Sequence, residues 1–413
     1  MKPVFKEERE FLGIAKKYEG LLWVDKRAYR GFDKDMQLIK FGRNLEKLPT
    51  DVSNLLTHKE FCNLYYKENT LSKVEREKEK LAKYLKNTSY EEYVISISGG
   101  KDSTVCGKIA MNVMDSLGID YRILFGNTSN ETHFTYRYVK ETYEDKLEIA
   151  NPKEGFYQWC ERTSIVPTRF GRACCSIFKE GNIGKYLNEN KTTLQILGVR
   201  KEESQNRSTY TQIMKNTKWS KNKIQNWNMY NLIIDFSDLD IWSYLIANNI
   251  KFNTLYTFGY SRVGCTNCPF RSDYELKLNE YFLPTYDKRW KELLKKIFIE
   301  NKIAININCT IDEFVNGAWK AGVVREQPTK EVIQEFAEYM NTSYDKAEKY
   351  FKTNRCSCGK RLSGDVIALN MKLMGRNTNS RLCLKCLARE LGVSKDELKK
   401  QIQLFKDEGC SLF

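Results

Sequence analysis

Residues 94–105 read VISISGGKDSTV and contain the stretch that decides the fold. The segment EYVISI alternates and is β-branched, which predicts a strand, whereas STVCGKIAMNVMDSLG has helical periodicity and closes at Gly118. A glycine-rich turn therefore joins a strand to a helix. Amides of such a turn can approach an anion, and the helix N-terminus adds a favourable dipole. We therefore predict a phosphate-binding loop made of Ser98, Gly99, Gly100, Lys101, Asp102 and Ser103.

The side chains of this loop suit phosphate chemistry. Lys101 can neutralise phosphate charge, the serine hydroxyls can donate hydrogen bonds, and Asp102 can hold Mg²⁺ or fix the loop. We assign catalytic roles to Lys101, Asp102 and Ser103. The spacing differs from the Walker A motif, in which four residues separate the first glycine from Gly-Lys-Ser/Thr. An ordinary glycine turn is the alternative interpretation.

Further segments repeat the alternation of strand and helix. YRILFGNTSNE, TTLQILGVR and YNLIIDFSD predict strands, while THFTYRYVKETYEDK, LDIWSYLIANN and the amphipathic residues 71–86 predict helices. This order predicts an α/β fold with a mainly parallel, doubly wound sheet, whose ligands bind beyond the carboxyl ends of the strands. Polar residues follow each predicted strand at that end.

Four regions are expected along the chain. Residues 1–70 form an N-terminal extension in which we recognise no functional motif. Residues 71–275 form the nucleotide domain. Residues 276–352 are predicted to be helical, and residues 353–413 form a small zinc-binding module. We detect no internal repeat.

Composition indicates a globular protein with an anionic partner. Of 413 residues, 41% are hydrophobic, and no apolar run approaches the roughly 20 residues of a membrane helix. The first residues lack an export signal, so we expect a cytoplasmic protein without a membrane partner. The net charge of +15, from 68 basic and 53 acidic residues, predicts attraction to a polyanion such as nucleic acid. A lysine-rich solvated surface is the alternative.

Thirteen cysteines in a chain without an export signal are expected to be metal ligands or reactive thiols rather than disulfides. Four isolated cysteines are predicted to be small buried hydrophobic residues: Cys62, Cys106, Cys160 and Cys309.

The first cysteine set comprises Cys174, Cys175, Cys265 and Cys268. Four thiolates suit either an iron–sulfur cluster or zinc. Two adjacent cysteines disfavour one small tetrahedral ion, because neighbouring side chains reach it awkwardly. We therefore favour a cluster, with zinc and unliganded or redox-active thiols as alternatives.

The second set comprises Cys356, Cys358, Cys383 and Cys386. The pattern CSCGKRL followed by CLKCLARELG predicts a zinc knuckle whose second ligand pair begins a helix. Cluster binding and free thiols are the alternatives. Residues 351–413 hold 13 basic and 6 acidic residues, so the module either docks on nucleic acid phosphates or is held together by zinc as a staple.

Several sequence motifs resemble those of a known protein family. SGGKDS resembles the signature of the PP-loop ATP pyrophosphatases. LFGNTSNETHFT, RACCSIFK, LGVRKEESQNR, DFSDLDIWSYL and LYTFGYSRVGCTNCPF resemble, in this order, motifs of the phosphoadenosine phosphosulfate (PAPS) reductase family. That family's relatives include ATP sulfurylase small subunits and the PP-loop protein of DNA phosphorothioation. The resemblance covers roughly residues 90–275.

The resemblance implies an adenine nucleotide, ATP or adenylyl sulfate, with its phosphates on the loop. Asn127, Thr128 and Glu131 would line the nucleotide pocket, and Arg200 and Arg207 would contact phosphate or sulfate. As in the adenylyl sulfate reductases that it resembles, the first cysteine set would hold a four-iron, four-sulfur (4Fe-4S) cluster.

Three functions are expected from these features. The favoured one is ATP-dependent adenylation and sulfur transfer on a nucleic acid or other acceptor, with a separate sulfur donor, because Lys101-Asp102-Ser103 is the ATP-type form of the family's loop. The second is reduction of adenylyl sulfate or its 3′-phosphorylated form with a thioredoxin-like reductant. Its nucleophile would be Cys410, although KDEGCSLF departs from the reductases' Glu-Cys-Gly tail and lacks their histidine. The third is a non-catalytic, ATP-sensing component that binds nucleic acid.

Overall fold

The computed structural model describes the chain apart from Lys26 and residues 170–173, 188–190, 204, 216–226, 301–308, 321–329, 340–342, 354, 355, 357, 359, 361, 375–380 and 408–413. The described chain divides into two compact units. The first contains Met1–Gln158 and Ala173–Tyr286, and the second contains Trp159–Arg172 and Asp287–Phe413. The four region boundaries expected from the sequence stay predictions.

A small antiparallel sheet begins the first unit. Its strands follow the chain in the order β1-β2-β3-β4. The elements here are β1 (Lys2–Pro3), α1 (Lys6–Phe11), β2 (Trp23–Asp25), β3 (Ala28–Phe32) and β4 (Leu38–Gly42). Leu22, Tyr29 and Phe41 belong to its hydrophobic core. The sequence predicts no strand in this region, because strands of two to five residues are too short to show a clear alternation.

Two helices connect this small sheet to the main one. They are α2 (His58–Tyr65) and α3 (Leu71–Asn87), separated by a π-helical turn, Tyr66–Thr70. The predicted helix over residues 71–86 is confirmed. Its buried face includes Val74, Leu81 and Leu85, which recur at helical spacing.

The main sheet has six strands in the order β7-β6-β5-β8-β10-β9. All neighbouring pairs are parallel except β10 with β9. The mainly parallel α/β sheet predicted from the sequence is therefore confirmed. Its elements are β5 (Glu92–Ile97), α4 (Lys101–Ser116), β6 (Arg122–Gly126), α5 (His133–Tyr143), β7 (Leu147–Ala150), α6 (Phe156–Thr163), α7 (Gly181–Tyr186), β8 (Thr193–Leu197), α8 (Gln205–Ser208), β9 (Ile213–Lys215), β10 (Trp227–Asn231) and α9 (Asp238–Ala247).

Strand β5 lies where the strand order reverses, with β6 on one side and β8 on the other. Loops that leave such neighbouring strands diverge to opposite faces of the sheet and leave a crevice between them. The glycine-rich loop follows β5 directly, so the fold places it at this crevice.

One predicted strand is displaced. The segment YNLIIDFSD was expected to be a strand, but β10 ends at Asn231 and a buried turn follows, in which the amide of Phe236 donates to the carbonyl of Ile233. Leu232 and Ile233 are fully buried in that turn. A short apolar run signals burial and does not distinguish a strand from a buried turn.

From Asp273 onwards, the secondary structure of the described residues is helical. Pro284 begins the second of two successive helices, a position that suits its missing amide hydrogen. None of the described helices combines the length and hydrophobicity of a membrane span. The helices are α10 (Asp273–Phe282), α11 (Pro284–Glu300), α12 (Ile311–Val315), α13 (Lys330–Tyr339), α14 (Tyr344–Thr353), α15 (Gly364–Leu373), α16 (Leu384–Leu391) and α17 (Lys395–Asp407).

The four isolated cysteines lie in the protein interior. Their exposed fractions are 0% for Cys62, Cys106 and Cys160 and 1% for Cys309. The prediction that they are buried hydrophobic residues is confirmed.

His58, at the start of α2, is a buried histidine near the small sheet. Its Nε2–H donates to the carbonyl of Leu22 at 2.7 Å, and its ring meets Trp23 and Phe5 edge to face. Burial lowers the pKa of His58 to about 4, from an ordinary value of 6.5. The folded state therefore holds this imidazole neutral.

We predict that His58 makes folding pH-dependent. Because the folded-state pKa is depressed, its contribution is complete above pH 6.5 and is lost as the pH falls towards 4. At pH 5 the loss reaches about 2 kcal/mol. Urea unfolding at pH 7 and at pH 5 should show this difference in the wild type and a smaller one in His58→Gln, which keeps a donor for Leu22. An equal loss in both proteins would contradict the assignment.

Candidate active site and metal centres

The loop after β5 presents backbone donors at the start of α4. Gly99 has φ +73°, a left-handed conformation that favours glycine. The amide of Thr104 makes the first helical hydrogen bond, to the carbonyl of Gly100. The amides of Asp102 and Ser103 have no acceptor among the described residues, as expected for the first turn of a helix. They are available for an oxyanion.

Two further contacts hold the loop in shape. The Lys101 amide donates to the hydroxyl of Tyr256 at 2.8 Å. The Ser98 amide donates to Oγ of Ser103 at 3.1 Å, and that hydroxyl donates to the Gly100 carbonyl at 2.9 Å. Hydrogen bonds of the Ser103 hydroxyl thus stabilise the turn between Ser98 and Ser103.

A buried ion network surrounds the loop. Lys101 Nζ lies 2.9 Å from Asp102 and 3.2 Å from Asp238. Arg200, which is 3% exposed, donates through Nε to Asp102 at 2.5 Å and through Nη2 to Asp238 at 2.7 Å. Each carboxylate therefore meets both cations. Arg200 also pairs with Glu202, and Asp238 with the amino group of Met1.

The network fixes the charge of its members. Burial opposes ionisation of Asp102, but Lys101 and Arg200 outweigh it and hold the pKa of Asp102 below its usual value. Burial likewise opposes the Lys101 ammonium, but Asp102, Tyr256 and Asp238 together outweigh burial and raise the pKa of Lys101. Both oxygens of Asp102 contact cations, which favours its role in fixing the loop over ligation of Mg²⁺.

Three residues that support the loop were not singled out from the sequence: Tyr256, Asp238 and Gly198. A Cβ at Gly198 would lie 2.8 Å from the Asp102 carbonyl oxygen and from the Ser103 Cα. The strand β8 therefore approaches the start of α4 more closely than a side chain allows. All three residues lie in stretches that carry the family resemblance, but only the fold shows which atoms they contact.

The two predicted phosphate-contacting arginines have different surroundings. Arg200 lies inside the ion network. Arg207 is half-buried and forms an ion pair with Glu203. Burial and the nearby charge of Arg262 lower the pKa of Arg207. Two close guanidinium groups favour an anion between them, and Arg262 was missed by the sequence interpretation.

The predicted pocket residues follow β6. Thr128 donates through its hydroxyl to Glu131 at 2.6 Å and through its amide at 3.0 Å. Burial raises the pKa of Glu131 despite these hydrogen bonds. Asn127 donates to Asn151 at 2.7 Å. The Thr128 hydroxyl also lies 3.4 Å from Cys265 Sγ, so the pocket residues adjoin the first cysteine set.

The structure brings the first cysteine set together. A hydrogen bond with Cys175, burial and the charges of Cys265 and Cys268 raise the pKa of Cys174. Burial is the main reason why the pKa of Cys265 rises to about 12. No three of these four sulfur atoms join a group within 4.8 Å among the described residues.

The turn that carries Cys265 and Cys268 is held by neighbouring polar groups. Arg271 donates to the Cys265 carbonyl at 3.0 Å and stacks over Tyr260. The Thr266 amide donates to the Asn130 carbonyl at 2.6 Å. The loop after β6 therefore fixes the position of the cysteine turn.

The second cysteine set, in the second unit, is compact. The four thiols lie within 4.8 Å of one another, and Cys358 Sγ is 3.7 Å from Cys383 Sγ. Tetrahedral zinc with bonds of about 2.3 Å places its sulfur ligands about 3.8 Å apart. Burial opposes the Cys356 thiolate, but amide hydrogen bonds from Cys358 and Cys383 lower its pKa to about 6. These four residues fit one tetrahedral ion.

The surroundings of this set are built by the adjoining helices. Cys383 caps α16, which places Cys386 in its first turn. Asn370, fully buried on α15, donates to the Leu382 carbonyl at 2.8 Å and accepts from the Leu382 amide at 2.7 Å. The ligand segment is therefore fixed from both sides. Cys410 lies outside the described residues, so its predicted role as nucleophile stays a prediction.

A phosphate-binding loop at the switch point of a parallel sheet defines a nucleotide-binding α/β domain. Residues 92–271 match the family described as the phosphoadenosine phosphosulfate reductase domain. The resemblance stated from the sequence is confirmed.

Several named proteins are similar to this chain. Two uncharacterized proteins of Methanocaldococcus jannaschii are 29% identical over 245 residues and 28% identical over 272 residues, covering 58% and 65% of this chain and 54% and 53% of their own lengths. The chain thus spans about half the length of these relatives. The adenosine 5′-phosphosulfate reductase of Lysinibacillus sphaericus is 25% identical over 186 residues, covering 44% of this chain and 76% of that enzyme.

We predict that Gly198→Ala weakens nucleotide binding. The added methyl group would meet the backbone of Asp102 and Ser103, so the loop must shift away from β8. Isothermal titration should show ATP affinity reduced at least about tenfold, because displaced amides lose charge-assisted hydrogen bonds. Gly364→Ala, where the methyl group meets nothing within 4 Å, should leave affinity unchanged. Equal affinities in the two variants would refute the close approach.

Proposed function

We propose that the protein is an adenine-nucleotide enzyme of sulfur metabolism that adenylates a nucleic acid or other acceptor and exchanges the activated oxygen for sulfur. The observation that carries this proposal is the loop from Ser98 to Ser103, with donors at the start of α4 and Lys101 beside them. The family domain and the named reductase relative support the link to adenine nucleotides and sulfur.

The proposed reaction has two balanced steps. In the first, an acceptor oxygen attacks the α-phosphorus of ATP, and pyrophosphate leaves as the α–β bond breaks. In the second, hydrosulfide attacks the acceptor carbon, the carbon–oxygen bond breaks, and AMP leaves with the oxygen. The loop amides and Lys101 would stabilise the charge on the departing pyrophosphate. Mg²⁺ would bind the nucleotide phosphates rather than Asp102.

The proposed cofactors occupy separate cysteine sets. Cys174, Cys175, Cys265 and Cys268 would hold a 4Fe-4S cluster, which would supply a site for sulfur or electron transfer. Cys356, Cys358, Cys383 and Cys386 would hold zinc, which would stabilise a module with a small hydrophobic core. This module would also place its basic residues near a nucleic acid partner.

We predict that ATP is cleaved to AMP and pyrophosphate, and that Lys101→Ala slows this step about a hundredfold. Lys108→Ala on the same helix α4 is the matched control and should retain the rate. Product analysis by anion-exchange chromatography, with and without RNA or DNA, measures both. No AMP under any acceptor condition would exclude adenylation and favour the ATP-sensing alternative.

The reductase alternative is favoured by the similarity to adenosine 5′-phosphosulfate reductase over 186 residues. It is tested by incubating the protein with adenylyl sulfate and thioredoxin and measuring sulfite. If sulfite is released and its release depends on Cys410, the function is reduction of adenylyl sulfate and not sulfur transfer.

We predict about one zinc ion and about four iron atoms per chain after anaerobic purification. Cys386→Ser should lose the zinc and keep the iron, because its ligand atom belongs to the compact set. Cys309→Ala, a buried cysteine of the same unit outside that set, should keep both metals. Elemental analysis and an optical spectrum give the result. Iron loss in Cys386→Ser would overturn the assignment.

A further inference from the structure

Helix α5 lines a cleft that adjoins the predicted nucleotide pocket at Asn127 and Glu131. The cleft is open to solvent and has a volume of about 600 Å³, which suits a nucleotide-sized ligand. Its lining is Asn127, Ser129, Glu131, Thr132, His133, Tyr136, Arg137, Lys140, Glu141 and Tyr286. The helical members recur at intervals of three and four residues, so they share one face of α5.

The cleft combines positive charge with aromatic rings. His133, Arg137 and Lys140 are exposed, and Lys140 Nζ lies 5.2 Å from the centre of the Tyr136 ring. Neither Arg137 nor Lys140 forms an ion pair within the described part of the chain. Tyr286 adds a second tyrosine ring, with its hydroxyl accepting the His133 amide at 2.8 Å.

The acidic residues of the cleft are engaged elsewhere. Glu141 accepts from Lys251 at 2.6 Å, and Glu131 accepts two hydrogen bonds from Thr128. Arg137 and Lys140, without an ion pair among the described residues, therefore face a cleft whose carboxylates already accept hydrogen bonds. Unpaired cations together with ring faces are the features by which proteins bind the backbone and bases of single strands.

The opposite face of α5 contacts the phosphate loop. Asn253 donates to the Gly99 carbonyl at 3.3 Å and to the Thr135 hydroxyl at 3.1 Å. The hydroxyls of Thr104 and Tyr138 lie 2.8 Å apart. A ligand in the cleft is therefore separated from the loop by one helix, whose diameter is about 10 Å. At the β6 end, Asn127 and Glu131 belong to both the cleft and the predicted nucleotide pocket.

We propose that the α5 cleft binds single-stranded nucleic acid and holds the acceptor strand of the reaction. This inference rests on the proposed function for the strand's role as acceptor. The phosphates meet Arg137 and Lys140, and a base stacks on Tyr136 or Tyr286. The strand then runs towards Asn127 and Glu131, beside the nucleotide pocket and the first cysteine set.

Fluorescence anisotropy with labelled single-stranded RNA and DNA of about 12 nucleotides tests this inference. Arg137→Ala/Lys140→Ala should weaken binding at least about tenfold and reduce the salt slope by about 1.4, the value for two lost phosphate contacts. Lys83→Ala/Lys86→Ala removes the same charge from exposed positions of α3 and should change affinity less than about twofold. Equal losses in both double variants would overturn the proposal.

A second variant tests the stacking contribution. Tyr136→Leu should weaken strand binding about tenfold and leave the affinity for inorganic polyphosphate unchanged. Competition by AMP or by polyglutamate as effective as that by unlabelled strand would overturn the proposal, since the cleft would then be a mononucleotide or an acidic-peptide site. ATP affinity should stay unchanged in Arg137→Ala/Lys140→Ala, and thermal unfolding checks that each variant folds.

The two proposals fail in distinguishable ways. If Arg137→Ala/Lys140→Ala loses strand binding and the wild type forms no AMP, adenylation is refuted and the cleft is supported. AMP formation that depends on Lys101, with strand binding unaffected by Arg137→Ala/Lys140→Ala, would support adenylation and refute the cleft.

Discussion

The site depends on the buried ion network that joins Lys101, Asp102, Arg200 and Asp238. Each side chain alone would pay a large desolvation penalty, and together they compensate one another. The members come from the start of α4, the end of β8 and the start of α9. The network therefore links the segments that surround the crevice at β5. Removing one member would leave the others with fewer compensating partners in a buried setting.

The same network determines how the loop can receive a phosphate. Arg200 uses its guanidinium nitrogens on Asp102, Asp238 and Glu202, so it acts as a structural anchor. Lys101 is a compact cation on a flexible stem and can exchange one carboxylate contact for a phosphate oxygen. The amides of Asp102 and Ser103 need no rearrangement. In the proposed function, oxyanion binding would thus be divided between fixed amides and one adjustable cation.

The sequence predicts well what is local and strongly periodic. The strand before Ser98, the helix after it and the parallel sheet follow from alternation, helical spacing and strand–helix order. Contacts between distant segments leave no such pattern: Tyr256 on the Lys101 amide, Gly198 against α4 and Asp238 beside Arg200 become visible only in the fold. The strands β1 to β4 were not predicted for a different reason: each holds too few residues to establish a period.

The two cysteine sets show what the spacing of cysteines in the sequence can predict and what it cannot. Both patterns indicate four thiolates, and neither gives the distance between sulfur atoms. In the fold the second set closes to a sulfur–sulfur distance of 3.7 Å, which matches ligands on one tetrahedral ion. The first set draws together residues separated by 89 positions and stays more open among the described residues. Its turn is anchored to Asn130 and Thr128, so the loop after β6 couples the nucleotide pocket, the cysteines and the α5 cleft.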